Sequence, residues 1–208
     1  MRFLAALAVV TGLALLAPAP AAAQLDPMLA QRTKGKADAP ITVYELSDFQ
    51  CPFCRKLTLE VIPELDRDYV QTGKVRWIFV NLPLTQIHPN ALAAAEFAMC
   101  SARLGKFWPA HDLLFQHQPK WAPLKDPAPF LLTLADSMGV PRADLVSCLQ
   151  GNETRSLIQG EAEGAARSGV ASTPTLYVDR AGLIPGAQPV ALYRQIFDSL
   201  YKERTGGR

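Results

Sequence analysis

Two cysteines separated by two residues, Cys51 and Cys54, occur in the sequence DFQCPFCRK, with Pro52 directly after the first. Cysteines at this spacing can share a redox-active disulfide, supply half of a zinc site, form a purely structural bridge or lie apart as buried thiols. A bridge this short removes little entropy from the unfolded chain, so it would stabilise the fold weakly. A zinc site needs further ligands, and none of the three histidines pairs with another cysteine at ligand spacing. We therefore favour the redox pair and expect no metal.

The first cysteine is expected at the junction of a strand and a helix. Residues 41–49, ITVYELSDF, are rich in β-branched and aromatic side chains and predict a strand. A helix should follow from Pro52 to about Tyr69, since proline is tolerated in a first helical turn and apolar residues then recur every four positions. The unpaired N–H groups and partial positive charge of a helix start lower the pKa of a thiol placed there. We therefore expect Cys51 to be the attacking thiolate and Cys54, one turn on, to be the less exposed resolving cysteine.

The remaining patterns predict a strand–helix–strand unit followed by a helical block. Residues 74–84, KVRWIFVNLPL, are nearly all apolar, which is typical of a strand buried on both faces beside a parallel neighbour. The segment that follows carries helical patterns and no convincing strand. A strand pattern returns at Thr173–Asp179 with a hairpin signal, and an apolar stripe of helical period predicts a last helix at about Val190–Glu203.

Length and composition fit one domain that carries an insertion. The chain has 208 residues, of which 49% are hydrophobic and 19% charged, with a formal net charge of +2. This near-neutral balance gives no electrostatic reason to expect nucleic acid as a partner. The segments we expect are a signal peptide at 1–23, a polar and irregular N-terminal extension at 24–39, a sheet domain at 40–83 and 153–208, and a helical insertion at 84–152.

The N-terminus has the pattern of a secretory signal peptide. Arg2 precedes an apolar run at Phe3–Ala17, and the AAA at 21–23 is a small-residue cleavage site. A retained membrane anchor is the alternative, but the run is shorter than the roughly 20 residues that span a bilayer. We expect cleavage near Ala23, a periplasmic or other extracytoplasmic location and no stable membrane insertion. In such an oxidising compartment, the four cysteines are consistent with two disulfides.

A second motif lies far along the chain, where GVASTPTLYVD places Thr173 and Pro174 at the head of the late strand. A Cys-x-x-Cys after the first strand and a Thr-Pro before a late strand occur together in thioredoxin folds. The sequence resembles the DsbA-type exported thiol–disulfide oxidoreductases, in the branch with an SDFQCPFC-like active site. The resemblance extends from GKADAPITVYELSDFQCPFC through AAAEFAMCSARLGKFWPAHDLLFQHQ to GVASTPTLYVDRAGLIPGAQP. It implies a thioredoxin-like α/β fold with an inserted helical domain.

The resemblance also implies roles for side chains around the pair. Thr173 and Pro174 would be joined by a cis peptide bond beside the cysteines and would bind an extended client segment; an ordinary trans bond is the alternative. Glu45 matches the family's acidic position behind the active site. A carboxyl buried there would relay a proton for Cys54, whereas the alternative is a solvated strand glutamate.

Other residues bear on stability and redox strength. Cys100 and Cys148 stand where many members of this branch carry cysteine, which implies a structural disulfide; two separate buried thiols are the alternative. Phe53 lies where the strongest oxidants of the family carry histidine, and it adds no positive charge beside the thiolate. We therefore predict a milder oxidant, with the pKa of Cys51 above the value of about 3.5 found in strong oxidants. Asp48 is expected to tune the local charge or to cap a turn.

The predicted function is exchange of a Cys51–Cys54 disulfide with unfolded or partly folded exported proteins, as an oxidase that introduces disulfides. No cofactor is required, and a membrane redox partner would regenerate the pair. A reductase that runs the same chemistry backwards is one alternative. An isomerase is disfavoured, because the isomerases of this superfamily dimerise through an added N-terminal domain and the stretch before Ile41 is too short for one. The alternative from another class is a peptide-holding, chaperone-like module with a vestigial redox pair.

Overall fold

The computed structural model describes residues 27–151 and 153–206. The predicted signal peptide and its cleavage site near Ala23 lie outside the described residues. The strands are β1 (Thr33–Lys34), β2 (Ile41–Ser47), β3 (Val75–Asn81), β4 (Thr175–Val178) and β5 (Gly182–Pro185). The helices are α1 (Pro27–Gln31), α2 (Pro52–Lys56), α3 (Ile62–Leu65), α4 (Ala91–Arg103), α5 (Phe107–Gln116), α6 (Gln118–Trp121), α7 (Ala128–Ser137), α8 (Arg142–Gln150), α9 (Glu153–Arg167) and α10 (Val190–Thr205).

The strands form one mixed sheet in the order β1-β3-β2-β4-β5. Strands β2 and β3 are parallel, as the apolar run of β3 predicts, and the other neighbouring strands are antiparallel. Strand β2 therefore lies at the centre of the sheet, and its carboxyl end leads directly into the cysteine pair. In the register, Glu45 of β2 lies opposite Phe79 of β3 and Leu176 of β4.

The helix after β2 is interrupted by two wider turns. Helices α2 and α3 alternate with π-helical segments at Leu57–Val61 and Asp66–Val70, and the run continues to the turn before β3. Pro63 lacks an N–H group and cannot donate to the turn before it, so a wider turn just upstream absorbs the missing bond. The backbone departs from regular helix just before Pro63, with Val61 at φ −111°.

The expectation of an irregular N-terminal extension is wrong for its described part. Residues of this segment form α1 and the edge strand β1, which pairs antiparallel with β3. Arg32 holds them in place: its buried guanidinium donates to the main-chain oxygen of Phe79 at 3.1 Å and forms an ion pair with Glu161 of α9 at 2.6 Å. A single buried cation paired in this way fixes an edge strand too short to show any sequence period.

Helices cover both faces of the sheet. One face packs against α2, α3 and α10, with a core that includes Leu57, Leu65, Trp77, Tyr193 and Phe197. The other face packs against α9 through a smaller apolar cluster. Helices α4 to α8 build a third core, which includes both Cys51 and Cys54. Among the described residues, no helix combines the length and the apolar character needed to cross a membrane.

Candidate redox site

Cys51 occupies the N-cap position of α2. Its backbone is extended, at φ −70° and ψ 124°, and its main-chain oxygen accepts the first helical hydrogen bond, from Arg55 N at 3.1 Å. On the other side, Cys51 N donates to the oxygen of Asp48 at 3.1 Å and closes a turn. Because Pro52 has no N–H group, the first free donors of the helix belong to the next two residues.

The two thiols are reduced and have different environments. Cys51 keeps 4% of its surface exposed, whereas Cys54 is fully enclosed at 0%. The order of exposure is the one expected for an attacking and a resolving cysteine. The sulfur of Cys54 accepts a hydrogen bond from Asp48 N at 3.4 Å, which ties it to the end of β2.

These environments shift the pKa values of the two thiols in opposite directions. The pKa of Cys51 falls from an ordinary value of 9.0 to about 6, first because the thiol of Cys54 hydrogen-bonds to its sulfur, and also because the backbone N–H groups of Cys54 and Phe53 point at it; burial opposes the change. The pKa of Cys54 is raised, first by burial and then by the neighbouring charge of Cys51. At neutral pH the pair therefore carries one thiolate, on the more exposed sulfur.

A cis peptide bond joins Thr173 to Pro174, in the turn before β4. The structure brings this turn to the cysteines, since the sulfur of Cys51 donates to the main-chain oxygen of Thr173 at 3.4 Å. The oxygen of Pro174 in turn accepts from Gly186 N at 2.7 Å, which fixes the turn to the end of the neighbouring strand β5. Residues 122 positions apart in the sequence thus meet at one sulfur.

Glu45 is buried in the centre of the sheet. Its Oε2 accepts a hydrogen bond from the indole nitrogen of Trp77 at 2.9 Å, and its Oε1 has no hydrogen-bond partner among the described residues. The alternative of a solvated glutamate is therefore wrong. Since side chains alternate along a strand, Glu45 shares a face of β2 with Ser47, which lies beside Cys54.

The loop before the cysteines is held by polar contacts. The carboxylate of Asp48 caps the turn, as the sequence predicts, since its Oδ1 accepts from Gln50 N at 2.7 Å. Its Oδ2 accepts from Leu84 N and contacts Nδ1 of His88, each at 2.8 Å. The buried amide of Gln118, in α6, donates from Nε2 to the oxygens of two loop residues. The sequence carries no signal for the contacts of Leu84, His88 and Gln118, because they join residues far apart in the chain.

Cys100 of α4 and Cys148 of α8 are joined by a disulfide, with 5.7 Å between their Cα atoms. This bridge ties together two helices of the third core. In the described ranges, no group of three or more histidine, cysteine or acidic side chains is placed to hold a metal ion.

Comparison with known proteins identifies the family to which the chain belongs. A thioredoxin family model, Thioredoxin_4, matches residues 29–193. The probable disulfide bond formation protein D of Bacillus anthracis is 30% identical over 152 residues, which cover 72% of this chain and 70% of that protein. The Na(+)/H(+) antiporter NhaA 3 of Salinispora tropica is 35% identical over 146 residues, and there the match covers 70% of this chain but spans only 21% of the antiporter.

A solved structure shares the arrangement of the elements. The oxidised form of BdbD from Bacillus subtilis superposes with a TM-score of 0.74 at 25% identity, covering 83% of this chain and 93% of that one. A likeness over nearly all of that chain includes both the sheet and the helices that follow β3. The predicted α/β fold with inserted helices is confirmed.

Proposed function

The chain belongs to the thioredoxin family and to its DsbA-type thiol–disulfide oxidoreductases, and we propose on this basis that it introduces disulfides into exported polypeptides. The observation that carries the proposal is the asymmetry of the pair: a stabilised thiolate at Cys51 against an enclosed, hard-to-ionise Cys54. A sulfur whose thiolate is stabilised is a good leaving group in disulfide exchange.

The proposed reaction takes place in two exchanges. A client thiolate attacks the sulfur of Cys51 in the oxidised pair, the Cys51–Cys54 bond breaks, and Cys54 leaves with the electron pair and takes up a proton. A second client thiolate then attacks the client's own sulfur in the mixed disulfide, and Cys51 leaves as the thiolate. The client loses two electrons and gains a disulfide, while the pair becomes the dithiol that the structure shows.

Glu45 supports the first of these exchanges in the proposal. Cys54 departs into an enclosed site, where an anion is costly, so a proton must reach it. The buried carboxyl of Glu45, with one oxygen unpartnered and the other fixed by Trp77, is the acidic group on the face of β2 that leads to Cys54. Transfer of the proton from Glu45 past Ser47 to Cys54 requires a bridging water or a relay through a hydroxyl group.

The surface beside the pair suits an unfolded client. Phe53, between the cysteines, and Ile87, in the segment that Asp48 holds through Leu84 N, both expose most of their side chains. Apolar side chains exposed beside a reactive group favour partners whose own apolar residues are not yet buried. The turn at Thr173 and Pro174 is proposed to pair with the extended backbone of such a client.

The proposed location and partners follow from the same chemistry. Passing on a disulfide consumes it, so the pair must be reoxidised, and we assign this step to a membrane redox partner in a periplasmic or extracytoplasmic compartment. The signal-peptide pattern at 1–23 supports that location.

Disulfide transfer to a reduced, unfolded protein tests the proposal. The oxidised chain should remove two thiols from the client, whereas Cys51→Ser and Cys54→Ser, neither of which can form the Cys51–Cys54 disulfide, should remove none. A double variant, Cys100→Ala with Cys148→Ala, is the matched control, and it should keep the transfer. An oxidised chain that binds the reduced client but removes none of its thiols would instead support the chaperone-like alternative.

One observation favours a reductase as the second candidate. A Cys51 pKa of about 6 is closer to the value of about 7 in thioredoxin than to about 3.5 in a strong oxidant. Equilibration with glutathione separates the two directions. A potential near about −120 mV identifies an oxidant, and one near about −270 mV identifies a reductant.

A further inference from the structure

The side chain of Gln118 is a buried amide that reaches into the redox loop from α6. It is 5% exposed, and its Nε2 donates to the main-chain oxygen of Phe49 at 2.7 Å and to that of Cys51 at 3.0 Å. Both protons of one amide nitrogen are thereby used on the loop that carries the attacking cysteine. These bonds span 69 and 67 positions of sequence, so they fix the loop against the inserted helices.

The oxygen of Cys51 has a second partner. It also accepts the first helical bond of α2, from Arg55 N at 3.1 Å. Two donors, Arg55 N of the helix and Nε2 of Gln118, bind this oxygen and together restrain the peptide plane that follows Cys51. The torsion that this plane defines is ψ of Cys51, at 124°.

This torsion controls where the sulfur lies. Rotation about ψ turns the Cβ and sulfur of Cys51 relative to the start of α2. The backbone N–H groups of Phe53 and Cys54 stabilise the sulfur only while they point at it. A rotation about ψ would therefore weaken these N–H contacts, which stabilise the thiolate in addition to the hydrogen bond from the thiol of Cys54.

We propose that Gln118 is a positioning residue for the reaction: by holding the oxygens of Phe49 and Cys51, its amide keeps the sulfur of Cys51 against the N–H groups at the start of α2. The inserted helices then have a part in the redox chemistry besides packing. The role of Gln118 in the reaction rests on the proposed function. Its effect on the ionisation of the Cys51 thiol does not.

The direct measurement is the titration of the Cys51 thiolate by its ultraviolet absorbance, on the full chain with the Cys100–Cys148 bridge intact. Gln118→Leu removes both donors, and we expect the midpoint to move upward by about one pH unit, since donors to a loop carbonyl are worth on the order of one tenfold step. The equilibrium with glutathione should shift about tenfold toward the disulfide form, because the reduced form loses its stabilised anion.

A second variant covers the case in which Gln118→Leu does not fold. Gln118→Glu keeps the size of the side chain but has no donor when it is ionised and one when it is protonated. It should raise the midpoint as well.

Asn90→Leu is the matched control. Asn90 is 7% exposed, and its Nδ2 donates to the oxygens of Ala122 and Leu124 at 3.1 and 2.8 Å. Removing its side-chain amide also costs two amide–carbonyl bonds, neither of them to the cysteine loop, and it leaves the backbone N of Asn90 to donate to Oε1 of Gln50 at 2.6 Å. Its stability should fall as in Gln118→Leu while the Cys51 midpoint stays in place.

Two outcomes would overturn the inference: folded Gln118 variants with an unchanged midpoint, or a control whose midpoint moves equally far. Failure of the proposed function appears differently, as a wild-type chain with the low Cys51 midpoint that transfers no disulfide to a reduced client.

Discussion

The stabilised thiolate of Cys51 makes the folding stability of the reduced protein depend on pH. Its pKa is about 6 in the folded chain and near its ordinary value of 9.0 when the chain unfolds. Between these values the unfolded state binds one more proton than the folded state, so stability rises with pH. The contribution is present in full above about pH 9 and is lost as the pH falls through about 6.

The magnitude follows from the difference in acidity. Each pKa unit corresponds to about 1.4 kcal/mol, so the full lowering would correspond to about 4 kcal/mol. Because Cys51 lies at the mouth of α2 with some exposure, solvent screens part of this, and we expect about 2 kcal/mol. Roughly two-thirds of that should appear between about pH 6 and pH 8, below the range in which Cys54 ionises.

Urea unfolding under reducing conditions measures this gain. Other groups titrate in the same range, so the informative quantity is the difference between the reduced chain and the Cys51→Ser variant at each pH. Reduction of the Cys100–Cys148 bridge affects both proteins and cancels in the difference. We expect the difference to grow by about 1 to 1.5 kcal/mol between about pH 6 and pH 8. Parallel profiles for the two proteins would refute the assignment of a stabilised thiolate.

The remaining predictions concern the second disulfide and the buried carboxyl. Replacing Cys100 and Cys148 together by alanine should lower the free energy of unfolding of the otherwise oxidised chain by about 4 kcal/mol, because the bridge closes a loop of 48 residues; an unchanged urea midpoint would contradict this. Glu45→Gln keeps an oxygen for the indole of Trp77 but cannot relay a proton, so the rate of release of Cys54, followed by stopped flow, should fall on the order of 100-fold with stability little changed. An unaltered rate and pH profile would leave Glu45 a structural residue.

The sequence predicted the parts of the fold that have a local signal. Strand β2 and strand β3 have apolar and β-branched runs, and their parallel pairing follows from the helix between them. The cysteine pair was placed correctly at the start of α2, since proline and the end of a strand mark that junction. The resemblance supplied what spacing alone left open, namely that Thr173 and Pro174 would meet the cysteines.

What the sequence did not predict is fixed by single long-range contacts. Strand β1 is two residues long, and its position depends on the buried guanidinium of Arg32 rather than on any periodic pattern. His88 carries no sequence signal for the site, yet its Nδ1 contacts the carboxylate of Asp48, which lies shortly before the pair. Gln118 lies in an ordinary amphipathic stretch, and its role appears only once α6 is placed against the loop.

In the proposed reaction, the direction of exchange depends on which sulfur the fold allows to hold a charge. In a mixed disulfide, the client is oxidised when the Cys51 thiolate departs, and it is released unchanged when the client thiolate departs. The thiolate that departs more easily therefore decides the outcome. Cys51 departs easily because the thiol of Cys54, together with the N–H groups at the helix start, stabilises its anion, whereas Cys54 is enclosed and must be ionised before it can resolve the intermediate. Burial of Cys54 therefore lengthens the life of the mixed disulfide, which gives a second client thiol time to displace Cys51. Opening the enclosure of Cys54 should shift the same chemistry toward release of a reduced client.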